Sequence, residues 1–134
     1  MVEQFKYLGV EFDSNWSWRH TKERLAQKAR ARLAVVSKAI LEGLSLDTGE
    51  NLWNTTTRPI LEYGCEVWGG GKWDEAEKIQ LEVGRKLLGV SCRTTSEAIR
   101  GELGWWTMQG RRDFCRLKFW AKMIRLDPGR LLSP

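Results

Sequence analysis

The chain has 134 residues, 42% of them apolar and 29% charged, enough for one domain that buries roughly two thirds of its unfolded surface and too apolar for intrinsic disorder. Its net charge of +5 is segregated: residues 1–18 sum to −2, 19–38 to +6, 39–110 to −4 and 111–134 to +5, a pattern that points to a polyanionic partner. No run approaches the ~18 apolar residues of a membrane span and no leader-like stretch opens the chain, so a cytoplasmic or nuclear location is expected, with no membrane contact and no secretion.

Residues 5–12, Phe5-Lys6-Tyr7-Leu8-Gly9-Val10-Glu11-Phe12, read as one strand. Alternation puts Leu8, Val10 and Phe12 on one side, with Phe5 and Tyr7 on the other. No later segment offers a second strand, and a lone apolar strand leaves a bare pairing edge. Its partner is therefore expected in a region outside this chain, as in a fragment or a docking piece.

Asp13, Ser14 and Asn15 are candidate N-caps for a helix from about Trp16 to Ile40. Its buried stripe is Leu25, Ala29, Leu33, Val36 and Ile40. Arg24, Lys28 and Lys38 project roughly opposite, with small Ala31 between them, a face a phosphate backbone can approach. A second helix opens on Asp47 and Glu50 as a capping box and holds Leu52, Trp53, Ile60, Tyr63 and Val67. Pro59 should kink or split it, and Gly69-Gly70-Gly71 ends it. That glycine run lacks the lysine and hydroxyl of a phosphate-cradling loop.

A third helix runs from Asp74, boxed by Glu77, to about Leu88, with Ile79, Val83 and Leu87 inward. Thr94 and Glu97 open a short fourth that ends near Gly104. The last, about Thr107 to Leu126, should bury Phe114, Leu117, Trp120 and Ile124. Arg111, Lys118, Lys122 and Arg125 share a narrow arc of it, and Asp127-Pro128-Gly129 stops it. The fold expected is mainly α: about five helices in a bundle with one short N-terminal β-strand.

Eight tryptophans spread along the chain suggest buried anchors between helices more than stacking platforms. Cys65, Cys92 and Cys115 are odd in number and lack metal-ligand spacing, and they read as reduced, mostly buried thiols. Hydrolytic or transfer chemistry needs a nucleophile with its base, paired carboxylates or a metal cage. The one histidine, His20, opens a basic helix, and Asp74, Glu75 and Glu77 sit where a helix dipole favours acids anyway. A polymerase centre needs carboxylates converging on paired Mg²⁺, commonly from adjacent aspartates, and none are adjacent here. No enzyme activity and no cofactor are expected of this chain alone.

Phe5 to Val10, followed by Trp18 and His20, resembles the block after the catalytic palm in reverse transcriptases of non-LTR (LINE-type) retrotransposons. Arg58-Pro59-Ile60-Leu61-Glu62-Tyr63-Gly64-Cys65-Glu66-Val67-Trp68-Gly69 is similar to the leucine-glutamate-tyrosine-glycine and valine-tryptophan signature of those reading frames. Glu77-Lys78-Ile79-Gln80, Arg85 to Val90, Glu97 to Gly104, and Arg111-Arg112 through Trp120 continue the same order.

The resemblance implies that Tyr7, Leu8 and Gly9 belong to a primer grip (1–13). Residues 14–92 would form a thumb-like bundle and 93–134 an appended helical pair. It further implies an RNA–DNA template–primer duplex as partner, held by Arg24, Lys28, Lys38, Arg111, Lys118, Lys122 and Arg125, with the missing palm as a second partner. Mg²⁺ would belong to that palm, whose RNA-directed DNA polymerase activity this chain would not carry. Trp106-Thr107-Met108 departs from the proline-leucine pair common after the Leu103-Gly104 block. An inert remnant or a small protein-interaction module is the alternative.

Overall fold

The computed structural model describes residues 4–126, so the expected stop at Asp127-Pro128-Gly129 lies outside the described residues. The expected strand is a hairpin: β1 (Gln4–Tyr7) pairs antiparallel with β2 (Val10–Asp13), in register Phe5 to Phe12 and Tyr7 to Val10. Leu8 and Gly9 form the turn with φ of +47° and +84°, the sign pattern of the mirror-image turns that suit hairpin twist. Gly9 takes this geometry freely, whereas Leu8 is strained by it. Facing residues share a side, so Phe5, Tyr7, Val10 and Phe12 line one face, contrary to the alternation of a single strand. Val10 is buried and Phe12 packs on the core, while Phe5 and Tyr7 stack in the open. The expected lone strand thus finds a pairing partner within the segment itself.

Helix α1 (Arg19–Leu41) begins later than its pattern suggests and has no side-chain cap. Asp13 instead closes a turn, its carboxylate accepting from the Asn15 amide at 3.3 Å. Buried Thr21 locks α1 to the hairpin: its hydroxyl donates to the Glu11 carbonyl (3.0 Å) and accepts from the Glu11 amide (3.2 Å). Leu25, Ala29, Leu33 and Val36 are buried as the stripe requires, and Ile40 is half-buried.

The expected second helix is broken into segments. Ser45, not Asp47, caps α2 (Leu46–Leu52), accepting from the Thr48 amide. A π-helical turn (Trp53–Thr57) follows, then α3 (Arg58–Glu62). The Arg58 amide reaches back five residues to the Trp53 carbonyl, and Pro59 falls in the first turn of α3, where no amide is required. Carbonyls loosened by the wider turn are met by hydroxyls, Thr55 donating to Asn51 (2.7 Å) and Thr56 to Leu52 (2.6 Å). Gly64, at φ +68°, separates α3 from α4 (Cys65–Trp68). Its missing Cβ would stand 3.0 Å from Val10 Cγ2, so the hairpin packs against it.

Helix α5 (Asp74–Leu88) follows its pattern, with Ile79 and Val83 buried and Leu87 against the core. Burying such a side chain contributes roughly 1.5–3 kcal/mol. Helix α6 (Ser96–Leu103) is capped by Thr95, one residue after the expected Thr94, and ends on left-handed Gly104. Thr107 caps α7 (Met108–Arg125) as expected. One apolar cluster runs from Val10 through α1, the π turn, α4 and α5 to Met108.

The stripe expected to bury α7 lies on its open side: Phe114, Leu117, Trp120 and Ile124 are all more than half exposed. Met108 and Arg112 are buried instead, and Cys115 packs on the core. The Arg112 guanidinium lies 5.5 Å from the Trp73 ring and donates to Gln109 (2.7 Å). Polar anchors thus choose which side of α7 turns inward. The tryptophans divide likewise: Trp53, Trp68 and Trp73 are buried, while Trp16, Trp106 and Trp120 are exposed.

Glu77 makes no capping box in its own helix. Its carboxylate accepts from the amides of Met108 (3.2 Å) and Gln109 (2.8 Å) and from Arg100 (2.7 Å), so α5 caps α7 and holds α6. Glu77→Ala should cost about 2–3 kcal/mol by orphaning two helix amides and breaking a half-buried ion pair. Urea unfolding measures this, and an unmoved midpoint would show that the node carries no stability.

Candidate nucleic-acid interface

The expected grip residues meet at the hairpin turn. Tyr63 donates its hydroxyl to the Leu8 carbonyl at 2.7 Å, and a Cβ on Gly9 would lie 3.3 Å from its ring. Arg24 donates to the Gly9 carbonyl and pairs with Glu11 at 3.3 Å. The turn is thereby fastened to α1 and to α3 by two side chains distant in sequence.

Between turn, α1 and α3 lies an open groove of about 670 Å³. Arg24, Lys28 and Arg32, four residues apart and so about 6 Å along the axis, form one wall. Thr55, Thr56, Pro59 and Tyr63 form the other. Lys28 and Arg32 are exposed, and among the described residues neither has a carboxylate within ion-pair distance. Arg24 is largely engaged by Glu11 and the turn, so it builds the groove more than it offers charge.

Lys38 does not line this groove. It stands further along α1, 3.9 Å from Glu42. Arg111 is drawn to Glu62 at the base of α7, while Lys118, Lys122 and Arg125 are exposed along the same helix, apart from the α1 groove. Tyr7 and Leu8 are exposed. The expected residues therefore form two surfaces. Arg32, Thr55 and Thr56 were not anticipated; Arg32 follows Lys28 by one helical turn and was legible on that ground, but the threonines face the groove only because of the π turn.

Burial is the main cause of the shifted ionisations. It pushes the Lys22 ammonium down, helped by Arg112, and the Arg58 guanidinium down, helped by Arg111. Hydrogen bonding to Glu75 raises Arg30. Burial, with Cys115 and Glu66 nearby, pushes the Cys65 thiol up to about 12. Of the other thiols, Cys115 is half-buried and Cys92 exposed, so the expectation of mostly buried cysteines holds for Cys65 best. Among the described residues, no cluster of His, Cys, Asp or Glu could hold a metal ion, and no helix is long and apolar enough to cross a membrane.

No protein-family model, no curated protein and no solved structure matches this chain.

Two outcomes are expected. Tyr63→Phe removes the bond to Leu8 and should free the turn, speeding amide exchange across residues 4–13 while α5 stays protected; unchanged exchange would show that the turn holds itself. The protonated Cys65 thiol favours the folded state, and this contribution is complete below the ordinary thiol value of 9.0 and lost as pH rises towards 12. Cys65→Ala should therefore flatten the alkaline fall in melting temperature, and parallel slopes would refute the assignment.

Proposed function

We propose that this chain is a nucleic-acid-binding segment that grips a template–primer duplex through its backbone, in the manner of the primer grip and thumb of a LINE-type reverse transcriptase. The observation that carries this reading is the α1 groove: two cations one helical turn apart, beside a turn clamped in place, with no carboxylate pairing them among the described residues. Phosphates are held by such fixed cations without reference to sequence.

The opposite wall supports an RNA strand in that duplex. Thr55 and Thr56 commit their hydroxyl protons to Asn51 and Leu52, so they offer the groove oxygen lone pairs only. A ribose 2′-hydroxyl can donate to them, and a deoxyribose cannot. The sequence blocks that carry the family resemblance also touch one another: Leu8 and Gly9 meet Tyr63, Glu62 meets Arg111, and Gln80 accepts from the Arg100 guanidinium. On this reading the chain supplies grip and no chemistry, and the metal-binding carboxylates belong to the palm of the parent polymerase.

Binding of the chain to an RNA–DNA hybrid across a salt series tests this. Affinity should fall steeply with salt, and Lys28→Ala with Arg32→Ala should reduce the log–log slope by about two, one for each phosphate left without its cation. Lys38→Ala should matter less. Absence of binding at low salt by the folded chain would remove the nucleic-acid reading.

A further inference from the structure

The α1 groove leaves the aromatic side chains beside α7 unexplained. Trp106 is 61% exposed and Phe114 55% exposed, and the two rings meet edge to face at 6.1 Å. They stand at the mouth of a second cavity of about 490 Å³, within the range of small-ligand sites. It flanks the π turn and α3 from a different side: Asn54 and Arg58 line it, whereas Thr55, Pro59 and Tyr63 line the first groove. Its inner wall is aromatic, with Trp105 stacked on buried Trp53 at 5.7 Å. Its cations are Arg58, Arg111 and Lys118.

The nearby carboxylates are already engaged. Glu62 binds Arg111, and Glu50 accepts from the Trp105 indole at 2.7 Å. Lys118 is exposed, and among the described residues it lacks an acidic partner. Beyond the cavity, residues 114–125 of α7 carry Arg116, Lys118, Lys122 and Arg125 and no acid at all. At 100° per residue, Lys118, Lys122 and Arg125 fall beside the bare apolar stripe.

We propose that the cavity and the adjoining face of α7 bind single-stranded nucleic acid, one base stacking on Trp106 with Phe114 set edge-on beside it while Lys118, Lys122 and Arg125 follow the backbone. An aromatic floor with cations along one edge matches the two chemistries of an unpaired strand, a π-face and a phosphate. A duplex keeps its bases stacked inside and offers nothing to fill such a cavity. A second copy would bring the basic arc of α7 against itself across a two-fold axis, a like-charge contact. A lipid surface is flat and would leave the cavity empty. This inference does not rest on the duplex reading, because it uses other residues and another form of ligand.

Fluorescence anisotropy of a labelled short oligothymidylate, titrated with the full chain, tests the proposal. Trp106→Ala and Phe114→Ala should each weaken binding on the order of tenfold, and Trp106→Phe should retain most of it because a stacking face remains. Lys118→Ala should weaken binding and lower the salt slope by about one-half to one. Hybrid duplex binding, measured in parallel, should be unchanged in the aromatic variants. Trp106 joins Gln80 through its backbone carbonyl, so alanine leaves that bond intact and circular dichroism should not change. Equal oligonucleotide affinity in wild type and both alanine variants would overturn the proposal. So would binding of anionic vesicles or self-association, in place of the oligonucleotide, that those variants abolish.

Discussion

Glu77 sits in the first turn of α5, where acids are common, yet its carboxylate serves other helices. Two amides at the start of α7 and the Arg100 guanidinium of α6 converge on it, and Gln80, one turn on, takes the Trp106 carbonyl and Arg100 Nε. Helix amides without intrahelical partners must be satisfied somewhere, and a half-buried guanidinium needs an acceptor. A single face of α5 meets both demands. The path of α7, and every residue displayed along it, depends on that face.

The segment from Arg58 to Gly64 performs a parallel task. Glu62 anchors Arg111, Tyr63 fastens the hairpin turn, and Gly64 leaves room for Val10. Neighbouring residues at the end of α3 and just past it thus hold elements from the two ends of the described chain. The π turn before them rotates Thr55, Pro59 and Tyr63 towards α1 and leaves Asn54 and Arg58 towards α7. Two basic surfaces on different sides of one helix are the consequence, one walled by hydroxyls and one by indoles.

Arg112 illustrates how a polar group can settle an orientation that apolar residues leave open. It is fully buried and stacked against Trp73, yet two of its nitrogens have no partner among the described residues. Burial depresses its ionisation accordingly. A guanidinium is costly to bury, but its position rotates Phe114, Leu117, Trp120 and Ile124 into the open. What reads as a core stripe becomes a surface, with basic side chains alongside.

Much of this protein was written in local pattern. The mainly α fold, the buried stripes of α1 and α5, the breaking effect of Pro59, the cap at Thr107 and the basic character of α1 all follow from periodicity, backbone chemistry and charge, which act over a few residues. The hairpin was hidden because its turn uses a leucine where such turns favour asparagine or glycine, so alternation seemed to run through it. The facing of α7 was hidden for a different reason. An amphipathic pattern states that one side is apolar, but which side meets the core depends on partners such as Glu62, Glu77 and Trp73, brought near only by folding. Sequence by itself therefore determined the helices and the cations they carry. Tertiary structure decided which cations stay free, which are consumed as anchors, and where the aromatic rings open beside them.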